Sequence, residues 1–543
     1  MAKRFLIFIF ILQWALVSFA QKKDLPKLFV GIVVDQMRAE YLDRFYDQFG
    51  ENGFKRILNK GFDCRDVHIN YIPSVTAAGH ASIFSGTTPQ YHGIIDDEWY
   101  NRQLKRVEYC VADSNEHIVG GENAKVGVSP RNLLVTNLGD ELKISTGQKS
   151  RVIGLSLKDR AAILSAGHMA DGAFWFDQKK GDFVSSTYYM AKLPEWVAGF
   201  NQEKHAEKYL KSIWNLLFPE NQYPCSLPDD NNYENIVKGK VRPVFPYNLE
   251  DLSGKNNPRF RILYMSPFGN SLLTDLAIEA IQKAGLGKGD YPDLLTVSYS
   301  SPDAIGHNYG PLSKEMNDTY LRLDRDLARL FEALDQFVGK GNYTLFLTAD
   351  HGTDEVPRYL MDHKIPAGYF NDDSVTNLAA RYLDAGLGPG KWIEASYYGQ
   401  FYLNRNLIKE KGLELEKVQN QLAGFLREQK GVAKVFTATQ LDKQEYTRDI
   451  EASMQKGFFY RHCGDVEMVL EPGWTDDLSS ASSHCTGYNY DTHIPLLWYG
   501  KGIRQGESVA HHDVTDIAPT VSMILHIKLP NASVGNPIQE ILK

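Results

Sequence analysis

The sequence predicts an α/β fold, a doubly wound and mostly parallel sheet with helices on both faces. Three observations carry this. Residues 28–34 read LFVGIVV, a continuous apolar and β-branched run typical of a strand buried on both faces, and Asp35 follows it. Two similar runs, DLLTVSYSS (293–301) and YTLFLTADHG (343–352), each carry an acid at or just beyond the strand end, Asp303 and Asp350. Between them Leu323, Leu327, Leu330, Phe331, Leu334 and Phe337 recur every three or four residues among charged ones. That spacing makes an amphipathic helix and completes a strand–helix–strand unit.

The remaining elements are taken in chain order. The N-terminus, MAKRFLIFIFILQWALVSFAQKKD, has Lys3 and Arg4, an apolar stretch, and Ser18-Phe19-Ala20 before Gln21. This is the pattern of a secretory signal peptide over residues 1–20, removed on export to the periplasm or medium. No later stretch is apolar enough to span a bilayer, so no membrane association is expected after cleavage. Residues from about 165 to 260 are rich in Tyr, Trp, Phe, Asn and Pro and read as a cap inserted over the sheet. Residues from about 375 to 480 contain a small peripheral β-α-β unit. Its parts are a strand in YYGQFYLN (397–404), a helix marked by Val418, Leu422, Phe425 and Leu426, and a strand in GVAKVFTA. HIPLLWYGKG (493–502) supplies a fourth strand of the main sheet.

Composition narrows the function classes. The chain has 543 residues, 43% apolar and 23% charged, with a formal charge of −8. That balance speaks against a broad nucleic-acid surface but allows an anionic substrate at a locally positive site. Five cysteines, Cys64, Cys110, Cys225, Cys463 and Cys485, leave at least one thiol unpaired in a monomer. There is no CxxC, which excludes a sulfur-rich zinc site of that type; a Cys64–Cys110 disulfide is the expected pairing.

The chemistry-bearing residues are Asp35, Thr76, Asp303, His307, Asp350, His351 and His484. Asp303 and His307 stand four apart, on one face of a helix. Mixed Asp and His donors suit zinc better than magnesium or calcium, which prefer oxygen. Two such sets could hold two metals about 4 Å apart, the arrangement used in phosphoryl transfer. Each residue alone has a plainer reading: an acid after a strand caps the next helix, and Thr76, heading the small run Ala77-Ala78-Gly79, serves as a cap.

In order and spacing, Asp35, Thr76, Asp303-x-x-x-His307, Asp350-His351-Gly352 and His484 resemble the alkaline phosphatase superfamily of two-metal enzymes. SLKDRAAIL (156–164) resembles the Lys-x-Arg element of its PafA-type bacterial alkaline phosphatases. Similar too are GIVVDQMRAEYLDRF, SSPDAIGHNYGP, YNYDTHIPLLWYGKGI and DVTDIAPTVSMIL, so the likeness spans nearly all of residues 21–543 as one catalytic domain with insertions. The resemblance implies two Zn²⁺, one held by Asp303, His307 and His484, the other by Asp35, Asp350, His351 and the Thr76 oxygen. His493, in DTHIP, is the alternative to His484. His80 and His92 lie near Thr76 and are given structural roles.

The resemblance therefore implies a secreted phosphate monoester hydrolase acting on small molecules through a phospho-threonine intermediate. Thr76 would be the nucleophile, and Lys158 and Arg160 would bind the non-bridging oxygens. No nucleic-acid partner is expected, and the chain is expected to be a monomer. Asp97, in GIIDDEWYN, departs from the family pattern, which places an asparagine donor there; an ionised carboxylate cannot donate. The alternatives are a phosphodiesterase of the same superfamily and a non-catalytic secreted metal-binding protein.

Overall fold

The computed structural model describes residues 25–121 and 127–543. The expected signal peptide lies outside the described residues. Among the described residues no helix is long and apolar enough to cross a membrane.

A ten-stranded sheet forms the centre. Its strands, in chain order, are β1 (Leu28–Val34), β2 (Phe62–His68), β3 (Ile118–Val119), β4 (Val152–Ser156), β5 (Gly172–Asp177), β6 (Asp182–Ser186), β7 (Asp293–Tyr299), β8 (Tyr343–Thr348), β9 (Leu496–Gly500) and β10 (Gly506–Asp513). Across the sheet they run β10-β2-β9-β8-β1-β7-β4-β5-β6-β3. The core β8-β1-β7-β4-β5 is wholly parallel. β1 sits near the middle, paired in register with both β7 and β8, and every one of its residues is buried. That double burial is why its sequence shows no polar alternation.

Antiparallel pairings enter on both flanks, and the outermost pair on one side, β2 and β10, is parallel. β9 runs against β8 and β2, and β6 runs against β5. The fourth expected strand therefore joins the sheet in the opposite sense to the other three, starting at Leu496 rather than His493. β5 and β6 lie within the stretch assigned to an inserted cap, so the main sheet reaches into it through residue 186. Their Phe- and Trp-containing runs bury aromatic rings against neighbouring helices: Phe174 packs edge-on against Trp196, and Phe183 against Phe200.

Five helices matter for the site: α1 (Thr76–Ser85), α2 (Asp159–Ala166), α3 (Pro267–Lys283), α4 (Ser301–Tyr309) and α5 (Lys314–Leu334). α5 is the expected amphipathic helix. Leu323, Leu327, Leu330, Phe331 and Leu334 are buried, and the Ser313 side chain caps it by accepting from the Met316 N–H.

The expected β-α-β unit is a four-stranded antiparallel sheet, Ile393–Tyr397, Gln400–Leu403, Val466–Leu470 and Val432–Thr437. Helices Asp372–Leu387 and Leu415–Arg427 accompany it, and Leu383, Phe401, Val418, Leu422 and Leu426 belong to its own core. The single strand read in YYGQFYLN is instead a hairpin. Tyr398 and Gly399 form its tip with φ of 45° and 70°, the left-handed pair that a two-residue turn needs. The Cys64–Cys110 disulfide does not form: all five cysteines are free, and Cys64 and Cys110 lie in two different apolar clusters.

Candidate active site and metal centre

Four neighbouring parallel strands end at one edge of the sheet, and each delivers part of one cluster. Asp35 directly follows β1, and Asp350 and His351 lie just past β8. β7 leads into α4, which carries Asp303 and His307. Lys158 lies two residues past β4, and Arg160 is in the first turn of α2. In open parallel sheets the carboxyl edge is where ligands bind, because the strand-to-helix turns converge there. Thr76 arrives from outside this set, as the first residue of α1, and His484 from the loop preceding Asn489–Thr492.

The donors fall into two groups. Asp303, His307 and His484 have ligand atoms within 4.8 Å of one another, and so do Asp35, Asp350 and His351. The three imidazoles are oriented in the same way. Nδ1 donates to a backbone carbonyl in each: His307 to Ser482 and His351 to Gly352, both at 2.9 Å, and His484 to Ser74 at 2.9 Å. A carbonyl only accepts, so each Nδ1 carries a proton and each ring turns its Nε2 inward. Those Nε2 atoms face carboxylates: His307 to Asp303 at 3.1 Å, His484 to Asp303 at 3.7 Å, His351 to Asp35 at 3.4 Å.

Such an arrangement fits divalent cations. His351 Nε2 and Asp35 Oδ1 are buried and have no hydrogen-bond partner. Lone pairs facing lone pairs in a buried site are costly without a positive charge between them. Nitrogen and oxygen donors without sulfur are a zinc-like set. Among the described residues, the side-chain ammonium in contact with both groups is Lys158, with Nζ 2.6 Å from Asp35, 2.7 Å from Asp303 and 3.0 Å from Thr76 Oγ1.

Proton affinities reflect this crowding. Burial, with Asp350 alongside, pushes the Asp35 carboxyl well above its usual range. Burial acts on Asp303 in the same sense, yet Lys158, His307 and His484 beside it hold it well below. Burial lowers His351 and, with His351 and His307 nearby, drives His484 far down, so both rings stay neutral as metal ligands must.

Thr76, Lys158, Arg160, Asp303, His307 and His484 open onto one cavity of about 480 Å³, and Asp97 lines it too. Asp97 is engaged twice. Its Oδ2 lies 2.7 Å from Arg160 Nη2, and its Oδ1 accepts the Ala77 N–H at the start of α1, at 3.0 Å. Asp97 thus occupies both a cationic side chain and a helix-terminal donor, groups suited to an anion.

Several expected and unexpected placements complete the site. His80 donates from Nδ1 to the Thr76 carbonyl at 2.8 Å, and its Nε2 meets Ser298 Oγ at 2.8 Å; His92 bonds Ser82. His493 is not part of either donor group: its Nε2 donates to the Arg65 carbonyl at 2.9 Å. Gln36, which sequence reasoning passed over, ties the two groups together. Its N–H donates to Asp350 at 3.2 Å and its side-chain amide to Asp303 at 2.9 Å. The signal available was its place immediately after Asp35, with nothing to mark it further. Equally unforeseen is the outer wall, where Asp372, Asp373, Tyr397, Tyr398, Asp476 and Asp477 come from the four-stranded unit and its neighbouring loop.

Comparison with known proteins agrees with this geometry. Residues 29–487 match the family described as type I phosphodiesterase / nucleotide pyrophosphatase. The chain is 42% identical to alkaline phosphatase PafA of Elizabethkingia meningoseptica, over 95% of this chain and 94% of that one. It is 39% identical to a Myroides odoratus protein named calcium-transporting ATPase, over 96% of each. Its fold superposes on the crystal structure of wild-type alkaline phosphatase PafA with a TM-score of 0.91 at 41% identity, covering 95% of this chain and 99% of that one. A further PafA structure is of a variant altered at a threonine, an asparagine, a lysine and an arginine. Thr76 and Asp97 share the spacing of that threonine and asparagine, and Lys158 and Arg160 that of the lysine and arginine. The chain belongs to the type I phosphodiesterase / nucleotide pyrophosphatase family and, within the alkaline phosphatase superfamily, to the PafA-type alkaline phosphatases.

Proposed function

We propose that the protein is an exported phosphate monoester hydrolase, loaded with two zinc ions and acting on small molecules as a monomer through a phospho-threonine. The observation that carries this reading is the position of Thr76. Its hydroxyl opens onto the cavity within hydrogen-bond reach of Lys158, beside the two Asp/His groups.

Asp303, His307 and His484 would hold one ion; Asp35, Asp350 and His351 would hold the other, with Thr76 Oγ1 as a further donor. When bound, two dications supply Lewis-acid charge stabilisation and lower the proton affinity of a nearby hydroxyl. The residues do the rest. Thr76 Oγ1 attacks phosphorus in line; its proton passes through solvent to the leaving oxygen, so the old P–O bond breaks as the new one forms and the product departs as the alcohol. Lys158 donates to Thr76 Oγ1 in the resting site and steadies charge there. Lys158 and Arg160 then bind non-bridging phosphoryl oxygens, Arg160 through its planar fork. Water attacks the phospho-threonine, phosphate leaves, and Thr76 regains its proton.

A monoester carries more charge on its non-bridging oxygens than a diester, so a two-cation grip favours monoesters. One observation favours the diesterase reading: Arg160 is already neutralised by Asp97. Rates on p-nitrophenyl phosphate and methyl p-nitrophenyl phosphate, which share a leaving group, separate the two. The monoesterase reading expects kcat/KM to favour the monoester by about a hundred-fold, the worth of two charge-assisted hydrogen bonds at about 1.5 kcal/mol each. A preference for the diester overturns it.

A further inference from the structure

Away from the catalytic cavity, three chain segments bring imidazoles and a carboxylate onto one face at the outer edge of the sheet. Asp66 and His68 are two apart on β2, so their side chains share a face. His511, on β10, is the register partner of Asp66. His493, just before β9, forms an isolated bridge opposite His68. The donor atoms of Asp66, His68 and His493 all lie within 4.8 Å of one another.

The hydrogen bonds around them are those of a prepared ligand set. His493 Nε2 donates to the Arg65 carbonyl, so Nδ1 of the neutral ring is bare. His68 is held at both nitrogens, Nδ1 lying 3.2 Å from the Thr492 hydroxyl and Nε2 3.1 Å from Asp66 Oδ1. Asp66 Oδ2 meets His511 Nδ1 at 3.1 Å. The rings of His68 and His493 lie 4.8 Å apart, and those of His68 and His511 5.4 Å. Orienting partners of this kind, a hydroxyl and a carbonyl, are what fix imidazoles as metal ligands.

The geometry points to a third divalent-metal site, formed by Asp66, His68 and His493 with His511 alongside, that binds an imidazole-preferring transition ion such as Zn²⁺, Cu²⁺ or Ni²⁺. Two or three imidazoles with one carboxylate disfavour Mg²⁺ and Ca²⁺. An ion there links β2, β10 and the start of β9, so its role is to clamp the sheet edge rather than to touch substrate. None of these four residues lines the catalytic cavity.

The test uses zinc-loaded enzyme freed of excess metal and titrated with Cu²⁺, read by electron paramagnetic resonance. Wild type is compared with Asp66→Asn, His68→Gln and His493→Gln. The expected result is a Cu²⁺ signal with nitrogen hyperfine structure in wild type. In the three variants the affinity for it falls by at least about ten-fold, the effect expected of losing one ligand. Hydrolysis of p-nitrophenyl phosphate is expected to stay unchanged throughout. Substitutions on two separate segments guard against one that misfolds. An equal signal and affinity in wild type and all variants, or no nitrogen-coupled signal in wild type, overturns the inference.

Discussion

Asp97 stands at the spacing of the asparagine altered in the PafA variant, and its contacts say what a carboxylate does there. The carboxylate neutralises Arg160 and occupies the Ala77 N–H, both of which could otherwise meet a phosphate. Asp97→Asn removes the charge and frees Arg160, so kcat/KM for p-nitrophenyl phosphate should rise by about ten-fold, one charge-assisted hydrogen bond. An unchanged or lower value contradicts that account. The same pairing makes a second expectation. Arg160→Ala should cost less in the native background than in Asp97→Asn, and a double-mutant cycle on kcat/KM reads the difference. At this scale the sequence was informative where residue type alone carries chemistry. The acids past strand ends and the Asp-x-x-x-His pair read plainly one by one, and their joint placement is what marks them. His484 has no local mark beyond its place in a family order, and Gln36 has none, because a buried glutamine that bonds two acids looks like any polar residue after a strand.

Helix α1 is positioned by its smallest residue. A Cβ on Gly79 would lie 2.6 Å from both the Cβ and the carbonyl oxygen of Asp350, closer than packed atoms allow. The helix carrying Thr76 therefore rests directly on the turn carrying Asp350 and His351. Gly79→Ala should push them apart, costing about 1–3 kcal/mol of stability as overpacking does. Urea unfolding checks the stability, and kcat should fall with it because Thr76 moves with the helix. A second element, the strand Val466–Leu470, buries Glu467, whose carboxyl burial raises from 4.5 to about 7. The folded form then holds its proton more tightly than the unfolded chain, so stability falls as pH rises from 4.5 to 7 and stays lower above. Glu467→Gln should recover up to about 3 kcal/mol at pH 9 and little at pH 4, measured by unfolding at both. Element by element, strands buried on both faces were legible as apolar runs. The Tyr398–Gly399 hairpin was not, because a tyrosine at positive φ carries none of the usual turn chemistry. β5 and β6 were read as part of an insert because aromatic residues and turns hide the period of such short strands.

On the scale of the whole molecule, the sheet gathers the donors and the four-stranded unit closes the site. Parallel neighbours β8, β1, β7 and β4 bring residues more than three hundred positions apart to one edge. The order of motifs along the chain forecast this convergence, since the carboxyl edge of a parallel sheet is a single place. The outer wall was not legible, because Asp372, Asp476 and Tyr398 reach the cavity only through the packing of one unit on another. The expected disulfide is absent too: Cys64 and Cys110 bracket Thr76 in the sequence, yet they pack into separate clusters.

All three scales meet at the Thr76 hydroxyl, which lies beside Lys158 and the Asp/His groups that Lys158 touches. The most direct test is hydrolysis of p-nitrophenyl phosphate by purified wild type and Thr76→Ala, with zinc counted in the same samples. The account predicts about two zinc ions at the catalytic donors in both proteins and a rate lower by about a thousand-fold or more in the variant, the scale of losing a covalent nucleophile. A variant that keeps its zinc and still turns over at the wild-type rate would contradict it.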